Sequence, residues 1–246
     1  MTRQLLIKLS FLGGAYAGFQ VQQNAPTVQG TLQQALRMLL KEEVPVTGCG
    51  RTDAGVHALQ YWCTTKTASD FAPDKLAGAL NANLPNDISV SEVIEVPLDF
   101  HPRYSALWKE YRYQIWTPRH RNVFEAATSW HHPVPFNIEG VIQNARLFEG
   151  EHDFASFMAS GSSIEDTGRT IYLCEAKLTD GMLTIRVRGD GFLYNMVRIM
   201  VGTLVEGIDV TAAIAARDRS AAGPTAPALG LALANVFYPT LGGDGS

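Results

Sequence analysis

Leu5, Ile7, Leu9 and Phe11 fall on every second position near the start of the chain, and that period predicts a strand with one buried face. A Gly-rich turn follows, Gly13-Gly14-Ala15-Tyr16-Ala17-Gly18, without the GxGxxG spacing of a dinucleotide loop. The period then lengthens. Val28, Leu32, Ala35, Leu36, Leu39 and Leu40 share one helical face, and Thr27 stands where an N-cap belongs. A polar loop from Gly48 to Gly55 leads into a strand over Gln60 to Thr67. Pro73 opens a second helix bearing Leu76, Leu80 and Leu84, and Ile88 to Val96 alternate again as a strand.

The second half mixes the same elements. Tyr111 to Trp116 predict a strand, and after a long connection Ile138, Val141, Ile142, Ala145 and Phe148 outline a helix. Two strands, Ile171 to Leu178 and Met182 to Arg188, flank a turn at Asp180-Gly181. A helix runs from about Leu193 to Val205, and Leu231 to Phe237 form the last strand. Several connections have hairpin length, so the pattern predicts an α+β fold with largely antiparallel sheets rather than a doubly wound one. A length of 246 residues suits one large domain or two intimate halves. His101-Pro102 marks a boundary between residues 1–103 and 104–246.

Composition narrows the class. The chain is 46% hydrophobic and 18% charged, which excludes disorder, collagen and coiled coil as whole-chain descriptions. Twenty Lys and Arg against 24 Asp and Glu give a net charge of −4, which argues against a general nucleic-acid coater and leaves room for a local basic groove. Arg3, the apolar run from Leu5 to Leu12 and Ala15-Tyr16-Ala17 imitate a signal peptide, but Lys8 breaks the apolar stretch. No run reaches the roughly 18 apolar residues of a membrane span. Cys49, Cys63 and Cys174 show no CxxC spacing, and His101, His120, His131 and His132 form no HxxxH or Cys/His pair. The expectation is a soluble, cytoplasmic protein without a metal or a membrane partner.

Two places invite chemistry. The loop Gly50-Arg51-Thr52-Asp53-Ala54-Gly55-Val56-His57 sets one carboxylate among small residues beside an arginine and a histidine. Flanking glycines allow a tight turn and close approach of a ligand, although Asp53 capping local amides in a solvated turn would look the same. In Leu193-Tyr194-Asn195-Met196-Val197-Arg198-Ile199-Met200-Val201 one arginine interrupts an apolar helix. If buried, Arg198 needs an anionic partner, for which Asp53 is a candidate; otherwise it snorkels to water.

Basic residues are uneven as well. From His101 to Arg121, Arg103, Lys109, Arg112, Arg119 and Arg121 face only Glu110, with Tyr104, Trp108, Tyr111, Tyr113 and Trp116 interleaved. From Arg186 to Arg198, three arginines face Asp190. Cations with aromatics hold phosphates and stack bases, yet an amphipathic strand with a solvated face gives the same pattern. Asp53-Ala54-Gly55 and Asp166-Thr167-Gly168 do not make an aspartic protease, because their flanks differ and are polar.

Taken in order, these blocks resemble the TruA-type tRNA pseudouridine synthase family. The loop from Gly50 to Ala58 resembles its signature, and Thr27-Val28-Gln29-Gly30-Thr31-Leu32 its first helix. Lys109-Glu110-Tyr111-Arg112-Tyr113 is similar to its K-x-Y-R-Y stretch, and Gly191 to Arg198 to G-F-L-x-x-M-V-R. Ala222 to Leu231 resembles its A-G-x-T-A-P-x-x-G-L element. Phe19 stands where a Trp is usual, and the tail after Pro239 is unmatched. The resemblance implies a pseudouridine-synthase fold, two similar α/β subdomains around a central basic cleft. It implies a homodimer without metal or organic cofactor that isomerises uridines at positions 38, 39 and 40 of the tRNA anticodon stem-loop. It also implies Asp53 as the catalytic aspartate, Tyr111 against the target base, Arg198 paired with the aspartate and Arg51 near the flipped nucleotide. Two competing classes are a non-catalytic RNA-binding module of the same fold and a nucleoside glycosidase. The latter usually needs a second carboxylate, and none is evident near Asp53.

Overall fold

The computed structural model describes residues 1–161 and 164–241. The chain packs as two compact units: Met1–Leu107 with the segment from Leu233 onward, and Trp108–Ala232. The segment after Ala232 therefore belongs with the first unit and not with the second half of the chain.

The first unit contains β1 (Arg3–Phe11), α1 (Val28–Leu40), β2 (Val46–Gly48), β3 (His57–Thr67), α2 (Pro73–Asn81) and β4 (Ile88–Val96). β1 lies between β3 and β4, antiparallel to both, and β2 adds antiparallel to β3. Leu5, Ile7 and Leu9 form the core with Leu32, Leu36, Leu76 and Leu80 of the two helices, all with no exposed surface. The Thr27 hydroxyl caps α1 by accepting the Gly30 amide at 3.2 Å, as its place before the apolar face requires. β1 departs from the half-buried strand that its alternation predicts, because Gln4 and Leu6 are buried too. The second face is covered: Gln4 donates to the Phe100 carbonyl at 2.6 Å, and the Lys8 ammonium lies over the Trp62 ring at 5.2 Å.

The second unit contains β5 (Trp108–Trp116), β6 (Trp130–His131), α3 (Ile138–Asn144), β7 (Gly150–Asp153), β8 (Gly168–Thr179), β9 (Met182–Gly189), α4 (Met196–Val205) and α5 (Val210–Ala216). Its strands run antiparallel in the order β5-β9-β8-β7, and short β6 lies parallel to β5. The last strand, β10 (Leu231–Phe237), begins in the second unit and ends in the first. There the buried Tyr238 donates to the Pro102 carbonyl at 2.6 Å and stands edge-on to Trp62. The architecture is α+β and mostly antiparallel.

Three boundaries move for local reasons. α4 starts at Met196 rather than Leu193, because Asn195 takes a left-handed conformation at φ 59°. The helix expected over Ile138 to Phe148 ends at Asn144 and tightens into a 3₁₀ turn over Ala145–Phe148. α2 stops at Asn81, so Leu84 is buried from the turn beyond it. Among the described residues no helix is long and apolar enough to cross a membrane.

Candidate active site

Asp53 sits half-buried in the loop between β2 and β3, with Arg51 exposed beside it. The loop turns because the Val56 amide donates to the Asp53 carbonyl at 3.1 Å and Gly55 takes φ +81°, a value that favours glycine. The Gly-rich turn after β1 then grips it. A side chain on Gly13 would begin 1.9 Å from the Val56 carbonyl oxygen, and one on Gly18, at φ +89°, 2.3 Å from that of Thr52. The backbones touch directly, which neither position allows to any other residue.

Hydrogen bonds complete the cradle. The Gly13 amide donates to His57 Nδ1 at 2.9 Å, the Phe19 amide to Thr52 Oγ1 at 3.1 Å and the Gly55 amide to the Tyr16 carbonyl at 3.2 Å. The Tyr61 hydroxyl donates to the Gly50 carbonyl, and its ring stacks on Phe19 at 4.1 Å. His57, the histidine of the motif, is buried and accepts through Nδ1, so it serves the loop's shape. Gly13, Gly18 and Tyr61 were not singled out from sequence. The glycine run was visible, but its partner lay some 40 residues away.

In the second unit, Tyr111 projects from β5 and meets Phe192 edge-on at 4.9 Å. Arg198 is half-buried in the third position of α4. Its Nε donates to the Ala226 carbonyl and its Nη1 to Asn195 Oδ1, each at 2.7 Å, and the Ala226 amide returns a bond to the Arg198 carbonyl at 3.1 Å. The segment around Ala226 lies against the helix backbone. A side chain on Gly202 would begin 1.8 Å from the Pro224 carbonyl oxygen, and one on Gly223 2.5 Å from the Thr203 amide nitrogen. Below Arg198, the buried Tyr113 hydroxyl donates to the Pro227 carbonyl at 2.7 Å, and burial pushes that phenol's pKa up while the Arg198 charge pulls against the rise.

The basic and aromatic stretch divides between two faces. Tyr111 and Tyr113 share one face of β5, and Trp108, Glu110 and Arg112 lie on the other. On that second face the buried Glu110 carboxylate accepts from Arg186 at 3.1 Å and from Arg188 at 3.0 Å. Arg186 also reaches Glu175 at 2.8 Å, and Arg188 lies over Trp108 at 4.3 Å. Two arginines that sequence counting assigns to a basic surface are thus paired with Glu110 and Glu175, and strand alternation turns them away from Tyr111. That face is not the solvated one of an amphipathic strand, since Trp108 and Glu110 on it are buried.

The three cysteines are buried, and burial pushes the Cys63 and Cys174 thiols far above their ordinary pKa, so neither is a thiolate near neutrality. Among the described residues no group of three His, Cys, Asp or Glu side chains is placed to hold a metal ion.

A family profile described as tRNA pseudouridine synthase matches residues 9–105 and 145–239 of this chain. Arg51, Asp53 and Arg198 fall inside those segments, and Tyr111 falls between them. The tRNA pseudouridine synthase A of Geobacillus kaustophilus (strain HTA426) is 43% identical, with 97% of this chain and 95% of that protein covered. The protein of the same name from Ruminiclostridium cellulolyticum is 42% identical, with 96% of this chain and 100% of its own covered. Among solved structures, the crystal structure of a Cbf5-Nop10-Gar1 complex overlaps 95% of this chain and 58% of its own, at 14% identity and a TM-score of 0.42.

Proposed function

The chain belongs to the tRNA pseudouridine synthase family, and from that premise we propose that it isomerises uridine to pseudouridine in the tRNA anticodon stem-loop, at positions 38, 39 and 40. The reaction breaks the N1–C1′ bond, turns the base and joins C5 to C1′. The C5 hydrogen leaves as a proton and N1 gains one, so no oxidant or reductant is consumed. Asp53 is the catalytic carboxylate, acting either at C1′ or on a sugar proton. Tyr111 offers its ring to the base once the nucleotide has left the stack. Arg198 supplies the positive charge that keeps the carboxylate ionised. Arg51, exposed on the same loop, meets the flipped nucleotide's backbone.

The observation that carries this reading is a single half-buried carboxylate on a loop whose backbone is held from both sides. A rigid loop sets Asp53 before substrate arrives, which is how positioning lowers a barrier. The reading extends to a homodimer acting in the cytoplasm with no cofactor, and light scattering on the purified protein tests the assembly. The decisive experiment incubates tRNA labelled with tritium at uridine C5. Tritium released to water with the base still attached supports the synthase. Free uracil would mean a glycosidase, and tight binding without release would mean a non-catalytic module.

A further inference from the structure

Four non-glycine residues among those described have positive φ: Lys41, Asp180, Asn195 and Arg217. Three have ordinary reasons. Lys41 and Arg217 close α1 and α5, where left-handed caps are common, and Asp180 turns the hairpin between β8 and β9. Asn195 differs, because it stands at the start of a helix, where the cap residue is normally extended and its side chain accepts a helix amide. Here the side chain caps no amide. Its Oδ1 takes the Arg198 Nη1 hydrogen at 2.7 Å instead.

We propose that Asn195 is a positioning residue for the synthase reaction, holding the Arg198 guanidinium in its working orientation. The inference rests on the reading of Arg198 as a site residue. The guanidinium is held at two of its nitrogens, Nε by the Ala226 carbonyl and Nη1 by Asn195, and two bonds to separate atoms of a planar group define its plane. The acceptor is a neutral amide oxygen, so it orients the cation without cancelling its charge. A left-handed backbone and a forgone cap are unfavourable choices that persist where surrounding structure needs them.

The test measures pseudouridine formation on tRNA with the full chain. Asn195→Gly suits φ 59° and removes only the acceptor, so the melting temperature should hold while kcat falls about tenfold and KM stays level. In an Arg198→Lys background, which has no fork to orient, Asn195→Gly should change kcat no further. Asn195→His tolerates the left-handed region and keeps a ring nitrogen as acceptor, so it should restore turnover at high pH. Protonation would abolish that acceptor, and an acid limb near the usual imidazole value of about 6.5 should appear in kcat that the wild type lacks. Unchanged kcat in Asn195→Gly overturns the proposal. So does a kcat loss matched by a loss of melting temperature, or one that persists beside Arg198→Lys. A wild-type protein that forms no pseudouridine overturns the functional reading and this inference with it.

Discussion

The loop that carries Asp53 is held through its backbone. Four residues around it, Gly13, Gly18, Gly55 and His57, act through backbone or a buried ring. Asp53→Asn is nearly the same size and should leave the fold and tRNA affinity nearly intact while turnover disappears. Retention of more than about one hundredth of the wild-type rate, a loss under ~3 kcal/mol, would remove Asp53 from the centre of the mechanism. Tyr111→Phe keeps the ring that meets Phe192 and deletes only the hydroxyl. Affinity for tRNA should hold. A fall in turnover alone would assign the hydroxyl to proton transfer, and equal losses of binding and turnover would mark a structural tyrosine. The loop and Arg198 were legible as candidates because a carboxylate among glycines and a cation in an apolar helix are both unusual. Their hydrogen-bond partners were not, because residue type carries no record of which carbonyl will arrive from elsewhere in the chain.

Elements with several turns or alternations announced themselves: β1, α1, β4, β8, β9 and α4 all lie where their periods put them, within a few residues. β2, β6 and β7 hold two to four residues each, too few for a period, and they exist because a neighbouring strand offers an unpaired edge. α5 is only seven residues long and depends on Asp209, whose carboxylate accepts the Ala212 amide at 3.0 Å. Where an element's place depends on contact between backbones, the contact should be sensitive to one methyl group. Gly223→Ala should push the Ala226 segment off α4, costing about 1–3 kcal/mol in urea unfolding and lowering turnover through Arg198. Gly78→Ala, with open space around it in α2, should be neutral or stabilising by about 1 kcal/mol in the same measurement. A Gly223→Ala protein as stable and active as the wild type would mean that the segment does not hold the arginine.

Across the whole molecule, charge must be judged by faces and not by sums. The stretches rich in Arg suggested a broad positive surface, yet Glu110 occupies two of those arginines on the face of β5 away from Tyr111. Acid stability has an equally local origin. The Thr167 hydroxyl, the Ala155 amide and Arg217 hold the Asp153 carboxyl below its ordinary pKa. A depressed carboxyl contributes stability that is full above its unfolded value, about 3.9, and is lost as pH falls through the lower folded value. Asp153→Asn should therefore cost about 1 kcal/mol at neutral pH and little near pH 2, read from urea midpoints at both. The proposed partnership of Asp53 with Arg198 calls for a different comparison. Arg198→Met and Asp53→Asn should each remove turnover, and the double variant should lose little stability beyond either one. Additive losses would mean that Arg198 and Asp53 do not pair.

The return of the chain after Ala232 to the first unit has a consequence for biosynthesis. Tyr238 fills a place against Trp62 and Pro102, so the unit bearing Asp53 is left incomplete until residues 233–238 have been translated. Trp108–Ala232, by contrast, is continuous in sequence and is ready to fold as soon as it emerges. The ribosome thus delivers the second unit whole before it finishes the first. A premature stop just after Ala232 would spare every residue of the motif from Gly50 to His57 and still strip the structure beneath it. Such a truncated chain should be cut by proteases in its amino-terminal half, the part whose completing strand is missing.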